Sequence, residues 1–302
     1  MAVAIPYVKD IKFDYERVDR VSPLIRRIVA ENPGPFTFTG TGTYIVGQGE
    51  VAVIDPGPND PNHIEAILGA LEGETVTHIL ITHTHVDHSP GAAPLKAATG
   101  AKTYGFGPHA RSESGEVVEE GGDMAFEPDI VTRHGDRIEG KGWTIEAVHT
   151  PGHTSNHLCF ALLEEKALFT GDHVMGWSTS VVSPPDGDMA AYMRSLDLLL
   201  TRNDAIYWPT HGPAIEDPRP FVEAFIAHRE EREAQILEQV RAGRTQIGEM
   251  VPVMYAAVDS RLHPAAARSV LAHVKRMVGD GRLAAADSEI RLSTALSPGP
   301  AA

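Results

Sequence analysis

Residues Ile79–Gly91 read ILITHTHVDHSPG. An apolar run stops at Ile81, and His83, His85, Asp87 and His88 then fall within six positions. The run THILITH has the length and composition of a buried strand, so the cluster begins where that strand ends. His83 and His85 are one residue apart, and an extended or turning backbone can aim both at one point. Asp87 and His88 follow at once and can serve a neighbouring point. Neutral imidazole and carboxylate are the donors that zinc and related transition metals take, at about 2.0–2.2 Å. An exposed polar loop is the bland alternative, and the rest of the chain argues against it.

Three more fragments carry the same residue types at the same kind of place. HTPGHTSNH supplies His149, His153 and His157 after the strand pattern WTIEAVHT. FTGDH supplies Asp172 and His173 after ALFTGD, and WPTHG supplies His211 after AIYWP. Layered strand–helix domains assemble sites from distant segments at strand ends. GTYIVG and EVAVIDPG read as a hairpin turned by Gly47–Gly49. DPNHIEAILGALEG reads as a helix capped by Asp60 ahead of Pro61, and SPGAAPLKAATG as one capped by Ser89 with Pro90 in its first turn. HLCFALLEE is a further strand, with Cys159 as a core thiol, and AAYMRSLDLLLTR a helix. His63 and His78 read as surface or packing residues.

The 302 residues include 42% hydrophobic and 22% charged, a globular composition. The start, MAVAIPYVKDIKFDYERV, lacks a basic end followed by a long apolar core, so no signal peptide is expected. No apolar run reaches the roughly 18 residues of a membrane span. One cysteine excludes an internal disulfide framework and fits a reducing compartment, so a cytoplasmic location is expected. The net charge of −15 opposes sequence-independent capture of a polyanion. It is unevenly spread. From Pro218 onward there are 11 Lys+Arg against 10 Asp+Glu; the totals being 26 and 41, 15 and 31 remain before it. This shift predicts two units, residues 1–217 and 218–302. The second reads as a long helix stopped by Gly243, two more helices and a ribbon at LAAADSEIRLS, the outline of a winged helix. The last residues, SPGPAA, are expected to fray.

THTHVDH, PGHT at Pro151–Thr154, GD at Gly171–Asp172 and HG at His211–Gly212 occur in the order that marks the metallo-β-lactamase superfamily, which this chain resembles. IDPG at Asp55 fits the same pattern. NPGPFTFTGTGTYIVG, HREEREAQIL and the tail resemble the β-lactamase-like protein 2 group within it. The resemblance implies an α+β fold, a four-layer αβ/βα sandwich with a small C-terminal winged-helix-like domain. It implies that His83, His85 and His153 hold one metal, that Asp87, His88 and His211 hold a second, and that Asp172 bridges them. Asp55 is then a buried carboxylate orienting the metal loop. His157 is a further candidate for a site role, whereas His149 and His173 are expected outside the ligand set. A His at position 85, where the di-iron flavoproteins sharing the fold carry Glu, points to two Zn2+ ions per chain, with iron or manganese also compatible.

Such a centre can share a hydroxide that attacks a carbonyl carbon or a phosphorus, with Asp87 and Asp172 as the catalytic carboxylates and no serine or cysteine nucleophile. The acidic first unit favours a small ester or thioester as substrate. The resemblance also admits a single-strand endoribonuclease acting on RNA, and, with iron, a non-haem dioxygenase. A β-lactamase fits poorly, lacking an export signal. A non-enzymatic zinc-stabilised DNA-binding protein would need only four ligands, not seven. Arg268, Lys275 and Arg276 lie on one predicted tail helix whose apolar face is Ala267, Val270, Leu271, Val274 and Val278. The near-neutral tail predicts no grip on duplex DNA. It is expected to shape the rim of the metal cleft and a possible homodimer interface; no membrane partner is expected.

Overall fold

The computed structural model describes residues 4–108 and 121–302. Two sheets face one another. The first runs β1 (Asp19–Arg20), β2 (Ile25–Val29), β3 (Gly42–Gln48), β4 (Glu50–Ile54), β5 (Thr75–Leu80), β6 (Lys102–Gly105) and β7 (Ile130–Val131), in that spatial order. It is antiparallel through β4 and parallel from β4 onward. The parallel half needs crossovers. Helix α1 (Pro61–Ala70) joins β4 to β5, and α2 (Ala92–Thr99) joins β5 to β6. The second sheet contains β8 (Arg137–Gly140), β9 (Trp143–His149), β10 (Leu158–Leu162), β11 (Ala167–Gly171) and β12 (Ile206–Pro209), ordered β12-β11-β10-β9-β8. Helix α3 (Met189–Leu200) precedes β12.

Strand β10 shows how the layers arise. Successive side chains of a strand alternate faces. Leu158, Phe160 and Leu162 enter the core between the sheets with Tyr44, Val46 and Ile54 of the first sheet. Cys159 and Ala161 point the other way, into a core closed by Tyr192 and Leu196 of α3. On the far side, Ile64 and Ile67 of α1 and Leu95 of α2 cover Val51, Val53 and Ile79. Helix, sheet, sheet, helix: these are the four layers of an αβ/βα sandwich. Burial of Cys159 pushes its thiol up to about 12.

Helix α1 starts as its sequence dictates, with the Asp60 side chain accepting from Asn62 N and Pro61 in the first turn. Helix α2 does not. It begins at Ala92 behind Gly91, without a side-chain cap. Ser89 instead donates to Asp123 Oδ2 at 2.8 Å, a partner 34 residues away that outcompetes the local cap.

Pro218 opens α4 (Pro218–Arg241), which ends before Gly243 at φ +85°. Its Phe221, Val222 and Phe225 pack against α3, whereas Ile236 and Val240 belong to another core. That core joins α5 (Ile247–Met254), α6 (His263–Gly279), β13 (Leu283–Ala285) and β14 (Leu296–Pro298). Val270 and Val274 of α6 are fully buried there. The ribbon's second strand lies later than LAAADSEIRLS, and the expected fray is corrected. Gly299 N donates to Arg282 O and Ala301 N to Gly281 O, so the end is pinned by backbone bonds that local composition does not encode. No described helix is long and apolar enough to cross a membrane.

Candidate metal centre

All donor segments leave strand ends on one edge of the sandwich: His83–His88 after β5, His153 after β9, Asp172 after β11 and His211 after β12. Three nitrogens converge first. His83 Nε2 lies 3.0 Å from His85 Nδ1, which lies 3.1 Å from His153 Nε2. Asp87 Oδ2, His88 Nε2 and His211 Nε2 form a second group, with the carboxylate oxygen 3.3 and 3.1 Å from the two nitrogens. Asp172 stands between. Its Oδ1 is 3.6 Å from His88 Nε2 and 3.5 Å from His211 Nε2, and its Oδ2 is 3.8 Å from His153 Nε2. A tetrahedral ion with ligands at about 2.0–2.1 Å holds neighbouring donors about 3.3 Å apart. The observed separations bracket that value, and three groups of these residues are spaced to hold an ion.

The chemistry of the pocket agrees with the spacing. Asp87 Oδ1, His88 Nε2, Asp172 Oδ1 and His211 Nε2 are buried without a hydrogen-bond partner. Each such group costs about 1–3 kcal/mol if left so. Four at one point mark a place completed by a cation.

The opposite sides of the His83, His88, His153 and His211 rings are anchored, as metal-binding imidazoles require. His88 Nδ1 donates to Asp55 Oδ2 at 2.9 Å, His211 Nδ1 to Gly40 O at 3.1 Å and His153 Nδ1 to Val181 O at 2.6 Å. His83 Nδ1 meets Thr82 Oγ1 at 3.1 Å. Asp55, fully buried, also accepts from Thr82 N, Thr82 Oγ1 and Thr210 Oγ1. It sits behind the donors, and its left-handed backbone (φ +46°) is one of four such non-glycine positions among the described residues. Thr82 and Thr210 escaped the sequence reading, although each immediately precedes a donor histidine. Alternation along an extended chain turns each threonine toward Asp55 while its neighbour faces the cluster.

His157 lies behind the cluster too. Its Nε2 accepts from Asp172 N at 3.2 Å, so its Nδ1 carries the proton toward Thr150 Oγ1 at 2.9 Å. It fixes the backbone of Asp172 and is not a donor to the cluster. His149 is outside as well, stacked on Phe106 at 4.2 Å with Nε2 near Ser155 O. His173 is buried against Tyr192, with neither ring nitrogen partnered. His63, expected at the surface or in packing, is buried between Glu16 Oε2 and Thr43 Oγ1. Half-buried His78 packs between the Tyr104 and Trp143 rings.

Without a metal, protons take its place. Burial opposes charge on His88 and His211, but Asp87 and Asp172 outweigh it. They hold His88 well above the usual histidine range and His211 up at about 10. Against the same burial penalty, these imidazolium partners keep Asp87 and Asp172 well below the usual carboxylate range. Burial, reinforced by neighbouring imidazoles, pushes His83 and His85 well down, so both offer neutral nitrogen lone pairs.

The mouth over the cluster is lined by Pro35, Phe36, Met175, Trp177, Ser178 and Val181 together with three donors. No tail residue lines it, which corrects the expectation that the tail shapes its rim. Helix α6 instead walls a separate groove of about 920 Å³ with α3, the Pro184–Asp188 segment, and Pro151, Gly152 and Ser155 of the His153 loop.

Residues 37–211 match the family model described as the metallo-beta-lactamase superfamily, and residues 247–291 that of a beta-lactamase associated winged helix domain. The beta-lactamase-like protein 2 homolog of Drosophila melanogaster is 33% identical over 88% of this chain and 91% of its own. The atrochrysone carboxyl ACP thioesterase dmxR1 of Cryptosporiopsis sp. (strain 8999) is 34% identical over 76% of this chain and 66% of its own. A solved beta-lactamase domain protein from Burkholderia ambifaria shares the fold, with a TM-score of 0.78 at 19% identity over 96% of both chains. The family model spans more than half of the chain and contains every donor named above, and on that ground the chain belongs to the metallo-beta-lactamase superfamily.

Proposed function

We propose that the chain is a hydrolase working with two divalent ions, zinc being the best match to its donors, on a small ester or thioester. One observation carries this reading. Seven buried donor side chains converge as two groups, and Asp172 turns one carboxylate oxygen toward each. Three donors plus the shared Asp172 carboxylate would give each of two ions four protein ligands, and a water would enter as a fifth. Ions so held supply a water that ionises near neutral pH and a polarised carbonyl.

The remaining steps fall to the chain. His83, His85 and His153 would hold one ion, and Asp87, His88 and His211 the other, with Asp172 common to both. Asp87 Oδ1, buried and unpartnered, would accept a hydrogen bond from the attacking water and hold it in place. Thr41 Oγ1 donates to the other oxygen of that carboxylate at 3.3 Å and keeps it turned. His157 holds the backbone of Asp172 in place. The apolar mouth keeps bulk water from the carbonyl.

A relative named as an acyl-carrier thioesterase supports the thioester reading. Single-stranded RNA is the weaker alternative, and duplex DNA is disfavoured. Arg276 and Arg282, which could have met phosphates, are both engaged by Glu233. The test uses the full chain, metal-loaded and chelated, on esters, thioesters and single-stranded RNA. Thioester hydrolysis should vanish on chelation and return with zinc. Hydrolysis that survives chelation, or iron as the sole ion with oxygen consumption, would overturn the reading.

A further inference from the structure

Two loops wall the mouth, and apart from the Ser178 hydroxyl and the unpartnered Trp177 indole N–H the described side chains present apolar surface. Pro35 and Phe36 come from the segment before β3, and Met175, Trp177 and Val181 from the segment after β11. No Lys or Arg is among the described residues lining it. Free space inside the mouth is small, about 30 Å³, so a bound group rests across its open rim, where Phe36, 39% exposed, presents a large apolar face beside the donors.

These walls are held rigidly. Phe38 has a left-handed backbone, φ +55°, a conformation that costs a non-glycine residue about 1–3 kcal/mol and persists only where the surroundings impose it. Here they do. Phe38 and Gly34 exchange backbone hydrogen bonds at 2.9 and 3.2 Å, and Asn32 binds Thr41 through both ends of its amide. The Phe38 ring stacks on Trp177, centroids 4.7 Å apart and planes 12° from parallel. Trp177 fits because Gly212 has no side chain: a Cβ there would lie 2.9 Å from the indole. The same loop touches the donors, through Gly40 O on His211 and Thr41 Oγ1 on Asp87. Wall and donors are one preorganised unit, which lowers the cost of ordering on binding.

We infer that this mouth is the subsite for an uncharged apolar acyl group larger than acetyl, and that Phe36 and Trp177 select it. The inference rests on the thioester reading above. A carboxylate-bearing acyl group or a phosphodiester would lose water against hydrocarbon, with no described cation in the wall to replace it. An apolar group loses nothing there, and each methylene laid against the wall gains up to about fourfold.

The experiment uses N-acetylcysteamine thioesters of acetyl, hexanoyl, benzoyl and succinyl groups with the metal-loaded full chain. It adds calorimetric binding of the matching non-hydrolysable amides. Wild type should favour hexanoyl and benzoyl over acetyl and succinyl by about 10- to 100-fold in kcat/KM. The amides should follow the same order in affinity. Trp177→Ala and Phe36→Ala should collapse those ratios toward unity while metal content, measured on the same samples, stays constant; Trp177→Phe should retain most of the preference. Equal rates and affinities for acetyl and benzoyl in wild type would overturn the inference, as would a preference surviving both alanine variants. If no thioester is hydrolysed but the amide preference holds, the subsite stands and the thioester reading fails. If both are missing, both fall.

Discussion

The donor cluster and a second cluster in the tail are built from similar parts, buried carboxylate among buried imidazole, yet they close differently. In the tail, Glu233 is 1% exposed and both its oxygens are taken. It accepts from His273 Nδ1 at 3.1 Å, from Arg276 at 2.6 and 2.7 Å and from Arg282 at 2.6 Å. The chain supplies its own cations there. At the mouth only acceptors and imidazoles converge, and four of their atoms find no partner. A buried carboxylate completed by arginine is structure; one left facing imidazole nitrogens needs a cation from solution.

Asp172→Ala should have the largest effect on that contrast, because both ion positions lose an anionic ligand. Turnover should fall about 10,000-fold, on the order of 5 kcal/mol, and metal per chain should drop, as elemental analysis would show. Full metal content in the variant would remove Asp172 from its shared position. Glu233→Ala should act on the other side of the comparison. It leaves Arg276 and Arg282 without their buried partner, at a cost of roughly 3 kcal/mol or more in denaturant unfolding, while metal content stays unchanged. Loss of metal in that variant would merge the two regions into one functional unit.

The two clusters should also fail at opposite ends of the pH scale. Against burial, hydrogen bonds from His273 and Arg276 and the Arg276 charge hold the Glu233 carboxyl down at about 2, against an ordinary 4.5. Its contribution is therefore full above 4.5 and lost as pH falls toward 2. His211 in the metal-free chain is raised from 6.5 to about 10. That contribution is full below 6.5 and lost as pH rises through 10. Metal displaces the proton, so the alkaline loss should disappear from melting curves of the loaded protein. An alkaline slope unchanged by metal would contradict the assignment.

Asp55→Asn should weaken metal affinity about 10- to 100-fold, since a single amide cannot serve Thr82, His88 and Thr210 as the carboxylate does. His149→Ala should change neither metal content nor turnover. If it does, the donor set has been drawn too narrowly.

The sequence made the donors readable because their types cluster at strand ends; His83 to His88 need no distant information. The layered core was readable for a similar reason, as strand-like runs such as HLCFALLEE alternate with helix-like runs such as AAYMRSLDLLLTR along the chain. What stayed hidden depends on partners far along the chain. Arg276 reads as one of several charges on a helix, and only folding brings Glu233, 43 residues earlier, against it. Ser89 reads as a cap until Asp123 takes its hydroxyl. The left-handed Phe38 carries no local mark at all, since glycine or asparagine would ordinarily announce such a position. Yet that residue backs the wall of the mouth.

Anomalous diffraction at the zinc edge, from crystals of the full chain grown with zinc, tests the central claim most directly. The account predicts two peaks about 3.5–4 Å apart. One should lie among His83, His85 and His153, the other among Asp87, His88 and His211, with Asp172 contacting both. A single peak, or two peaks of which one lies away from Asp172, would contradict it.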